Sequence, residues 1–118
     1  MQYLDFIITL CVNINMLVSY KNDSIKQICQ DFEHACKKFG EKIATRLFQR
    51  IGEIRAVENI MELKTFPAIE CEAVEKANSV LYTVNLSDTQ KLLFLPLKED
   101  PLKNESLITE VELHEVLN

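Results

Sequence analysis

The sequence predicts an α+β domain in which an N-terminal helical hairpin packs on one face of a small antiparallel sheet. Two amphipathic helical patterns occupy the first half of the chain, and alternating strand patterns occupy the second half. A third observation is size: 118 residues, 47% hydrophobic and 26% charged, match one globular domain. No internal repeat or proline-rich linker divides the sequence, so one domain is expected.

The first predicted elements are a strand and a helix. Residues 16–20 (MLVSY) predict a short strand that ends in a polar run. Ser24, followed three residues later by Gln27, is a capping-box signature for the start of a helix. The apolar residues behind it share one helical face up to Gly40, a usual stop. They are Ile25, Ile28, Cys29, Phe32, Cys36 and Phe39.

A second helix is predicted from Glu41 to about Val57, with a broad apolar side. Only about four residues separate the two helical patterns, so the helices are expected to form an antiparallel hairpin. Arg46 falls opposite the apolar side, and Arg50 and Arg55 flank it. A further short helix is expected over residues 60–66, before Pro67 interrupts it.

Three strand patterns follow Pro67. Residues 80–86 alternate apolar with other side chains, and Ser87-Asp88 suits a turn. Residues 91–95 (KLLFL) form a nearly continuous apolar run, which is typical of a central strand. After a charged loop over residues 96–106, residues 107–113 alternate again. Strands in this order are expected to pair as a meander.

Charge is distributed unevenly along the chain. The 13 Lys and Arg against 18 Asp and Glu give a net charge of −5, which does not suit bulk attraction for nucleic acid. Residues 21–64 hold nine basic and seven acidic residues, whereas residues 65–118 hold four basic and ten acidic ones. The helical half is therefore slightly basic and the sheet half is acidic.

The four cysteines and two histidines do not predict a metal site. No cysteine pair has the C-x-x-C spacing, and His34 and His114 stand alone. No cofactor is expected either. The apolar run over residues 6–12 lacks a preceding basic residue and is too short to span a bilayer. We therefore expect a cytoplasmic protein, not bound to a membrane, with reduced and mostly buried thiols.

Several segments carry a resemblance to a known family. They are Tyr20-Lys21-Asn22, Cys36 to Gly40, Ala44 to Leu47 with Arg50, Ile51, Glu53 and Arg55, Asn59 to Ala68 in part, Tyr82 to Leu86, and Lys91 to Phe94. Together they resemble the RelE/HigB group of toxins from type II toxin–antitoxin modules. The resemblance covers residues 16–118 as a single domain and leaves residues 1–15 as an N-terminal extension outside it.

The resemblance implies a function and partners. Members of this family are small α+β ribonucleases that cut messenger RNA, commonly on the ribosome. Each is silenced by a cognate antitoxin, often one with a helix-turn-helix. For this chain the resemblance therefore implies an antitoxin partner and, for an active enzyme, contact with the ribosome and messenger RNA.

Metal-free RNA cleavage needs groups that move protons and balance charge on the phosphorane, roles that Lys, Arg, His and Tyr fill. Lys91 takes the place of the family's strand arginine, and His114 lies near the family's closing catalytic groups. Tyr82 is a third catalytic candidate, and Lys76 is a candidate for RNA binding. Ordinary structural roles remain open for all four: a surface lysine, a surface histidine, a core tyrosine and a turn lysine.

The sequence departs from the family pattern around Cys71. Glu70, Glu72 and Glu75 occupy positions where the family has basic or titratable residues, and carboxylates there repel phosphate. Two hypotheses follow: a messenger RNA endoribonuclease whose site has been degraded, or a non-catalytic relative that binds an antitoxin-like partner. For the second, Arg46, Arg50 and Arg55 form a candidate partner-binding rim, unless they simply form a solvated helix flank.

Overall fold

The computed structural model describes residues 15–77, 79–100 and 104–118. Most of the predicted extension (residues 1–14) lies outside these ranges. The described chain is an α+β fold with four helices, two 3-10 turns and five strands. In order, these are β1 (Leu17–Tyr20), α1 (Asp23–Gln30), α2 (Phe32–Phe39), α3 (Glu41–Ala56), α4 (Ile60–Leu63), a 3-10 turn (Pro67–Ile69), β2 (Glu72–Lys76), β3 (Ser79–Asn85), β4 (Lys91–Pro96), a second 3-10 turn (Glu105–Leu107) and β5 (Glu110–Leu117).

The sheet is mixed, and the prediction of a wholly antiparallel sheet is wrong. Its strand order is β1-β5-β4-β3-β2. Strands β2 to β5 form the predicted antiparallel meander, with β4 in the centre, but β1 pairs with β5 in parallel. The alternating pattern predicts that a strand exists, but it does not predict which strand pairs with it. No hairpin constrains β1, which is separated from β5 by all the other elements.

One face of the sheet forms the core with the helices. Tyr82 of β3, Phe94 of β4 and Leu113 of β5 lie side by side in register, and all three are fully buried. Helix α1 contacts β1 and β5, and α3 contacts β1 and α2. The helices add a second set of buried apolar residues to this core: Ile25, Ile28, Ala44, Leu47, Ile51 and Ile54.

The single helix predicted up to Phe39 is two helices. Asp31 is extended (φ −118°, ψ 102°); its N–H donates to the Gln27 carbonyl, and its carboxylate accepts from the His34 N–H. Asp31 therefore ends α1 and begins α2. The predicted capping box is also wrong, because Asn22 is the N-cap and accepts from the Ile25 N–H at 3.0 Å. The apolar periodicity continues across the break because both helices contact one core.

The remaining boundaries shift by a few residues. Helix α3 begins after Gly40, whose φ of 88° favours glycine. Helix α4 ends at Leu63, earlier than predicted. Strand β5 begins at Glu110 because the residues just before it form a 3-10 turn. Strand β2 was not predicted as a strand; it is an outer strand with exposed Glu72, Glu75 and Lys76.

The break at Asp31 generates a stability prediction. Asp31→Ala removes the side-chain cap of α2 and is expected to lower the free energy of unfolding by about 1 kcal/mol in urea denaturation. Glu33→Ala, in the first turn of the same helix, is the matched control, and we expect a clearly smaller loss. Equal losses in the two variants would contradict the capping role.

Candidate functional site

The candidate site is an open groove between helix α3 and the turn that joins β3 to β4. Its volume is about 1010 Å³. Lys42, Arg46 and Gln49 line the helix wall, and Asp88 and Lys91 line the opposite wall. The spacing of Lys42 and Arg46, four residues apart, places both on one side of α3. The groove therefore brings together two of the predicted site residues, Arg46 and Lys91.

Arg50 is buried against Asn85, a residue that lines the groove, instead of lying on the predicted rim. It is 2% exposed, and its guanidinium donates to Asn85, Glu53 and the Ala68 carbonyl. The Nε and Nη2 atoms share the Asn85 side-chain oxygen at 3.1 and 2.7 Å, and Nη1 lies 2.6 Å from Glu53. These contacts engage all three nitrogen atoms of the guanidinium, and a side chain that is 2% exposed offers almost no surface to a partner.

The Arg50 contacts also position a segment that lines the groove. Its bond to the Ala68 carbonyl (2.9 Å) holds the 3-10 turn at Pro67–Ile69 against α3. Glu70 follows this turn in the left-handed conformation (φ 51°, ψ 53°) and lines the groove. A glutamate in this conformation costs about 1 kcal/mol or more, and tertiary contacts must compensate for that cost.

Arg55, the third residue of the predicted rim, lies away from the groove. Its Nη2 atom donates to the Tyr20 hydroxyl at 2.7 Å, beside β1. Nine residues separate it from Arg46, roughly 13 Å along a helix. The three arginines do not form one surface: Arg46 lines the groove, Arg50 is buried beneath it, and Arg55 is bonded at the far end of α3.

Lys91 is engaged by a carboxylate. Its Nζ lies 3.6 Å from Glu72 Oε2. Lys91 is on β4 and Glu72 is on β2, so this ion pair spans β3, which lies between them. Thr83 is the β3 residue in register with Glu72, and it is only 3% exposed. Glu72 thus lies within ion-pair distance of Lys91, and both side chains remain exposed.

His114 is also paired with a carboxylate. Its Nε2 lies 2.8 Å from Glu112 Oε1, and both side chains are partly buried. His114 is the extra residue of a β-bulge, because Leu93 pairs with Glu115 while Phe94 pairs with Leu113. Lys91 lies opposite Leu117, three residues further along β5, roughly 10 Å away at strand spacing.

Tyr82 lies in the core, on the sheet face that packs against the helices, and is fully buried. Its hydroxyl donates to Glu105 at 2.6 Å, and Lys64 donates to the same carboxylate at 2.9 Å. Burial and the Glu105 contact raise the pKa of Tyr82 far above its ordinary value of 10. Tyr82 therefore retains its proton and does not meet Lys91 or His114. The burial of Tyr82 supports the alternative role given for it in the sequence analysis, that of a core tyrosine.

Lys76, the RNA-binding candidate, is exposed at the turn between β2 and β3 and pairs with Ser79. Strand β3 separates it from the Asn85–Lys91 pair by six residues, roughly 20 Å. Lys76 is not among the residues that line the groove. The predicted RNA-binding and catalytic lysines thus lie at opposite ends of one strand.

The thiols in the described ranges are not poised for chemistry. Cys29, Cys36 and Cys71 are free cysteines. Burial raises the pKa of Cys29 and of Cys71 to about 12, so neither forms a thiolate readily at neutral pH. Cys11 lies outside the described residues. Within those residues, no group of three His, Cys, Asp or Glu side chains is arranged to hold a metal ion.

Sequence reasoning missed the two polar networks behind the site. The sequence predicts Arg50 on a helix flank, and it does lie one turn after Arg46 on the same side of α3. It is nevertheless buried, because Asn85 and Ala68 contact it there. Glu105 belongs to a charged loop in sequence, and nothing there indicates that it accepts a bond from Tyr82. Both networks join residues that are distant in the chain, so a single sequence carries no local signal for them.

Comparisons with known proteins add no relative to this description. Searches against family models, curated proteins and solved structures find no significant match to this chain. Within the described ranges, none of the helices has the length and hydropathy needed to cross a bilayer.

The buried guanidinium generates a prediction about stability. Arg50→Ala leaves the Asn85, Glu53 and Ala68 oxygens without their donor, and we expect the free energy of unfolding to fall by about 3–5 kcal/mol. Arg46→Ala, one turn earlier on the exposed side, is the control and is expected to change it by about 0.5 kcal/mol or less. Urea denaturation of both variants tests this, and similar midpoints would refute it.

The Glu105 network generates a prediction about pH. Burial alone raises the pKa of Glu105, but the bonds from Tyr82 and Lys64 and the Lys64 charge outweigh it, so the pKa falls below its ordinary value of 4.5. A carboxyl whose folded pKa is lowered stabilises the fold above its unfolded pKa, and this contribution is lost as the pH falls. The Glu105→Gln variant is therefore expected to be less stable than the parent at pH 7, and the gap should narrow at pH 3.

Denaturation by urea at the two pH values measures this gap. Glu115→Gln is the matched control, because Glu115 is exposed and has no ion pair among the described residues. We expect no pH-dependent gap for that variant. A gap for Glu105→Gln that stays constant from pH 7 to pH 3 would show that the network does not depend on ionisation.

Proposed function

We propose that this domain is a non-catalytic, partner-binding relative of the RelE/HigB toxins, and that the groove beside α3 receives an antitoxin-like protein. The single observation that carries the proposal is that the catalytic candidates lie apart and that each contacts a carboxylate. Tyr82 gives its hydroxyl to Glu105 in the core, His114 is held by Glu112, and Lys91 is paired with Glu72. An RNA-cleaving site needs such groups free and close together.

Electrostatics supports the same proposal. An RNA phosphate approaching Lys91 or His114 also approaches the carboxylate that holds each of them, and the like charges repel. The exposed Lys91–Glu72 pair is itself weak. Glu41, Glu70 and Asp88 add three further carboxylates to the groove walls. The groove is therefore a surface of mixed sign, which suits a protein segment with complementary charges better than a polyanion.

The groove also has the architecture of a binding surface on a rigid frame. Its helix wall is anchored through Arg50 to the end of β3 and to the turn before Glu70. Lys42 and Arg46 have no ion pair among the described residues, so both cations are available to a partner. Backbone strain at Glu70 lies at the same groove, and such outliers cluster at functional sites.

A ribonuclease is the second candidate function, and one observation favours it. Lys42, Arg46 and Lys91 line the same groove, and three cations can position successive phosphates of a single strand. In that case the ribosome supplies much of the binding, and Lys91 must leave Glu72 to reach the scissile phosphate.

Induced expression in a bacterial host separates the two functions. We expect unchanged growth and intact messenger RNA, by mapping of 5′ ends, when the chain accumulates in soluble form. Lys91→Ala is expected to behave like the parent. Growth arrest that disappears in Lys91→Ala would instead support the ribonuclease.

Partner binding has its own test. The product of the adjacent reading frame is co-expressed with the affinity-tagged chain, and the complex is measured by co-purification. Arg46→Glu is expected to reduce recovery at least tenfold, because it reverses a charge in the groove. Lys76→Glu, the same change at the far end of β3, is expected to have no effect. Equal losses, or no complex with the parent chain, would overturn the proposed groove.

A further inference from the structure

Strand β4 is apolar on both of its faces, whereas the described helices cover only one of them. Its sequence begins KLLFL, a nearly continuous apolar run of the kind that predicts a strand buried on both sides. Leu92 and Phe94 are fully buried in the core, and Leu93 and Leu95, which alternate with them, are only partly buried. In the described chain, the second face of β4 therefore has less cover than its sequence predicts.

Two further apolar residues share this second face. Val74 of β2 is in register with Leu81 of β3, and Thr83 of β3 is in register with Leu93 of β4. Residues opposed on neighbouring strands point to the same face of a sheet, and so do residues two apart along one strand. Val74, Leu81, Leu93 and Leu95 consequently lie together on the face away from the helices. We refer to these four residues as the outer patch.

The outer patch is separate from the hydrophobic core. The core takes in side chains from all four described helices and, on the strands, residues that alternate with the patch, such as Tyr82 and Phe94. Within the described ranges, none of the patch residues belongs to this core or packs against it, and none lines the groove. An antiparallel sheet whose second face meets water normally carries polar side chains there, so four neighbouring apolar ones indicate a surface for a partner.

Two glutamates border the patch along β5. Glu115 lies opposite Leu93, and Glu112 lies opposite Leu95. Glu112 contacts the His114 side chain at 2.8 Å, whereas Glu115 is exposed and forms no ion pair with any residue that the structure describes. The border along β5 is therefore acidic.

The border along β2 has mixed charge instead. Glu72, two residues before Val74, lies 3.6 Å from Lys91 Nζ, and Lys76, two residues after Val74, adds a second cation. The two sides of the patch consequently differ: a cationic group of a partner is favoured beside β5 and gains little beside β2.

We propose that the outer patch binds an amphipathic α-helix of another protein, with lysine or arginine along the flank that faces β5. The patch spans β2, β3 and β4, roughly 10 Å at strand spacing, which is close to the diameter of a helix with its side chains. Apolar residues three and four apart form one stripe on such a helix, and burying that stripe removes apolar surface of both partners from water.

Charge distinguishes this partner from a second copy of the chain. Two copies that meet through the outer patch bring the same acidic border twice, and each copy carries a net charge of −5. These charges repel one another. A helix with a basic flank instead places its cations against Glu112 and Glu115, and the pairing orients the helix on the patch.

A synthetic helix tests the proposal with the full chain. The probe is a fluorescein-labelled, amidated peptide of leucine and lysine, about five helical turns long, with its leucines in one stripe. A control peptide has the same composition in an order that removes the stripe. We expect fluorescence anisotropy to show at least tenfold tighter binding of the striped peptide. Equal affinities, or no binding of the striped peptide, would overturn the proposal, because bulk charge attraction does not depend on the stripe.

Variants of the chain locate the bound peptide. Leu93→Lys puts a charge within the patch and is expected to weaken binding of the striped peptide at least tenfold. Phe32→Lys makes the same kind of change on the helical side, where Phe32 is 41% exposed and contacts Phe48. This matched control is expected to stay within twofold of the parent affinity. Equal affinities of the Leu93→Lys and Phe32→Lys variants would overturn the location.

Glu115→Lys tests the acidic border at an exposed position, so it keeps the proposal falsifiable even if Leu93→Lys does not fold. We expect it to weaken binding about threefold or more, and an unchanged affinity would overturn the orientation of the basic flank toward β5. Sedimentation of the chain without peptide checks for a second copy. We expect a monomer, and a dimer that Glu115→Lys strengthens or Leu93→Lys dissociates would assign the patch to a second copy and overturn the proposal.

Discussion

The buried guanidinium of Arg50 is the contact on which the rest of the arrangement depends. It joins three segments distant in sequence: the middle of α3, the end of β3 and the turn before β2. A buried cation is costly unless every donor finds an acceptor, and here all three nitrogen atoms have one. One side chain consequently holds α3, the end of β3 and the turn before β2 in place relative to one another. The free-energy cost of burying the guanidinium is offset only when these three segments supply its acceptors.

The neutralised cations of the sheet follow a consistent pattern. Lys91 on β4 contacts Glu72 across the intervening strand β3, Lys98 in the loop after β4 contacts Glu110 of β5, and His114 contacts Glu112 of its own strand. The acidic excess of the second half of the chain is therefore not a uniform field. Several of its carboxylates lie beside positive or titratable groups, which offset their charge. In the described part of the chain, Lys42 and Arg46 on α3 form no ion pair, so these two cations of the groove are available to a partner.

The sequence patterns predict the individual helices and strands better than they predict how these elements pair and pack. Periodicity predicts the helix from Glu41, the strands at residues 80–86 and 91–95, and the central position of β4. It does so because the spacing of apolar residues along the chain reflects which side of an element is buried. The break at Asp31 and the parallel pairing of β1 did not follow. Whether the Asp31 carboxylate ends one helix and caps the next depends on how the surrounding chain packs. Which strand lies beside β1 likewise depends on packing between residues that are distant in sequence.

The two outer strands limit how the molecule meets other copies of itself. Strand β2 carries Glu72, Glu75 and Lys76, and β1 is four residues long with Met16 beside it already bonded to Val57. Stacking β2 on its own copy in register places identical carboxylates about 4.8 Å apart, a repulsive arrangement. Parallel, in-register stacking of β2 on a second copy of the chain is therefore disfavoured.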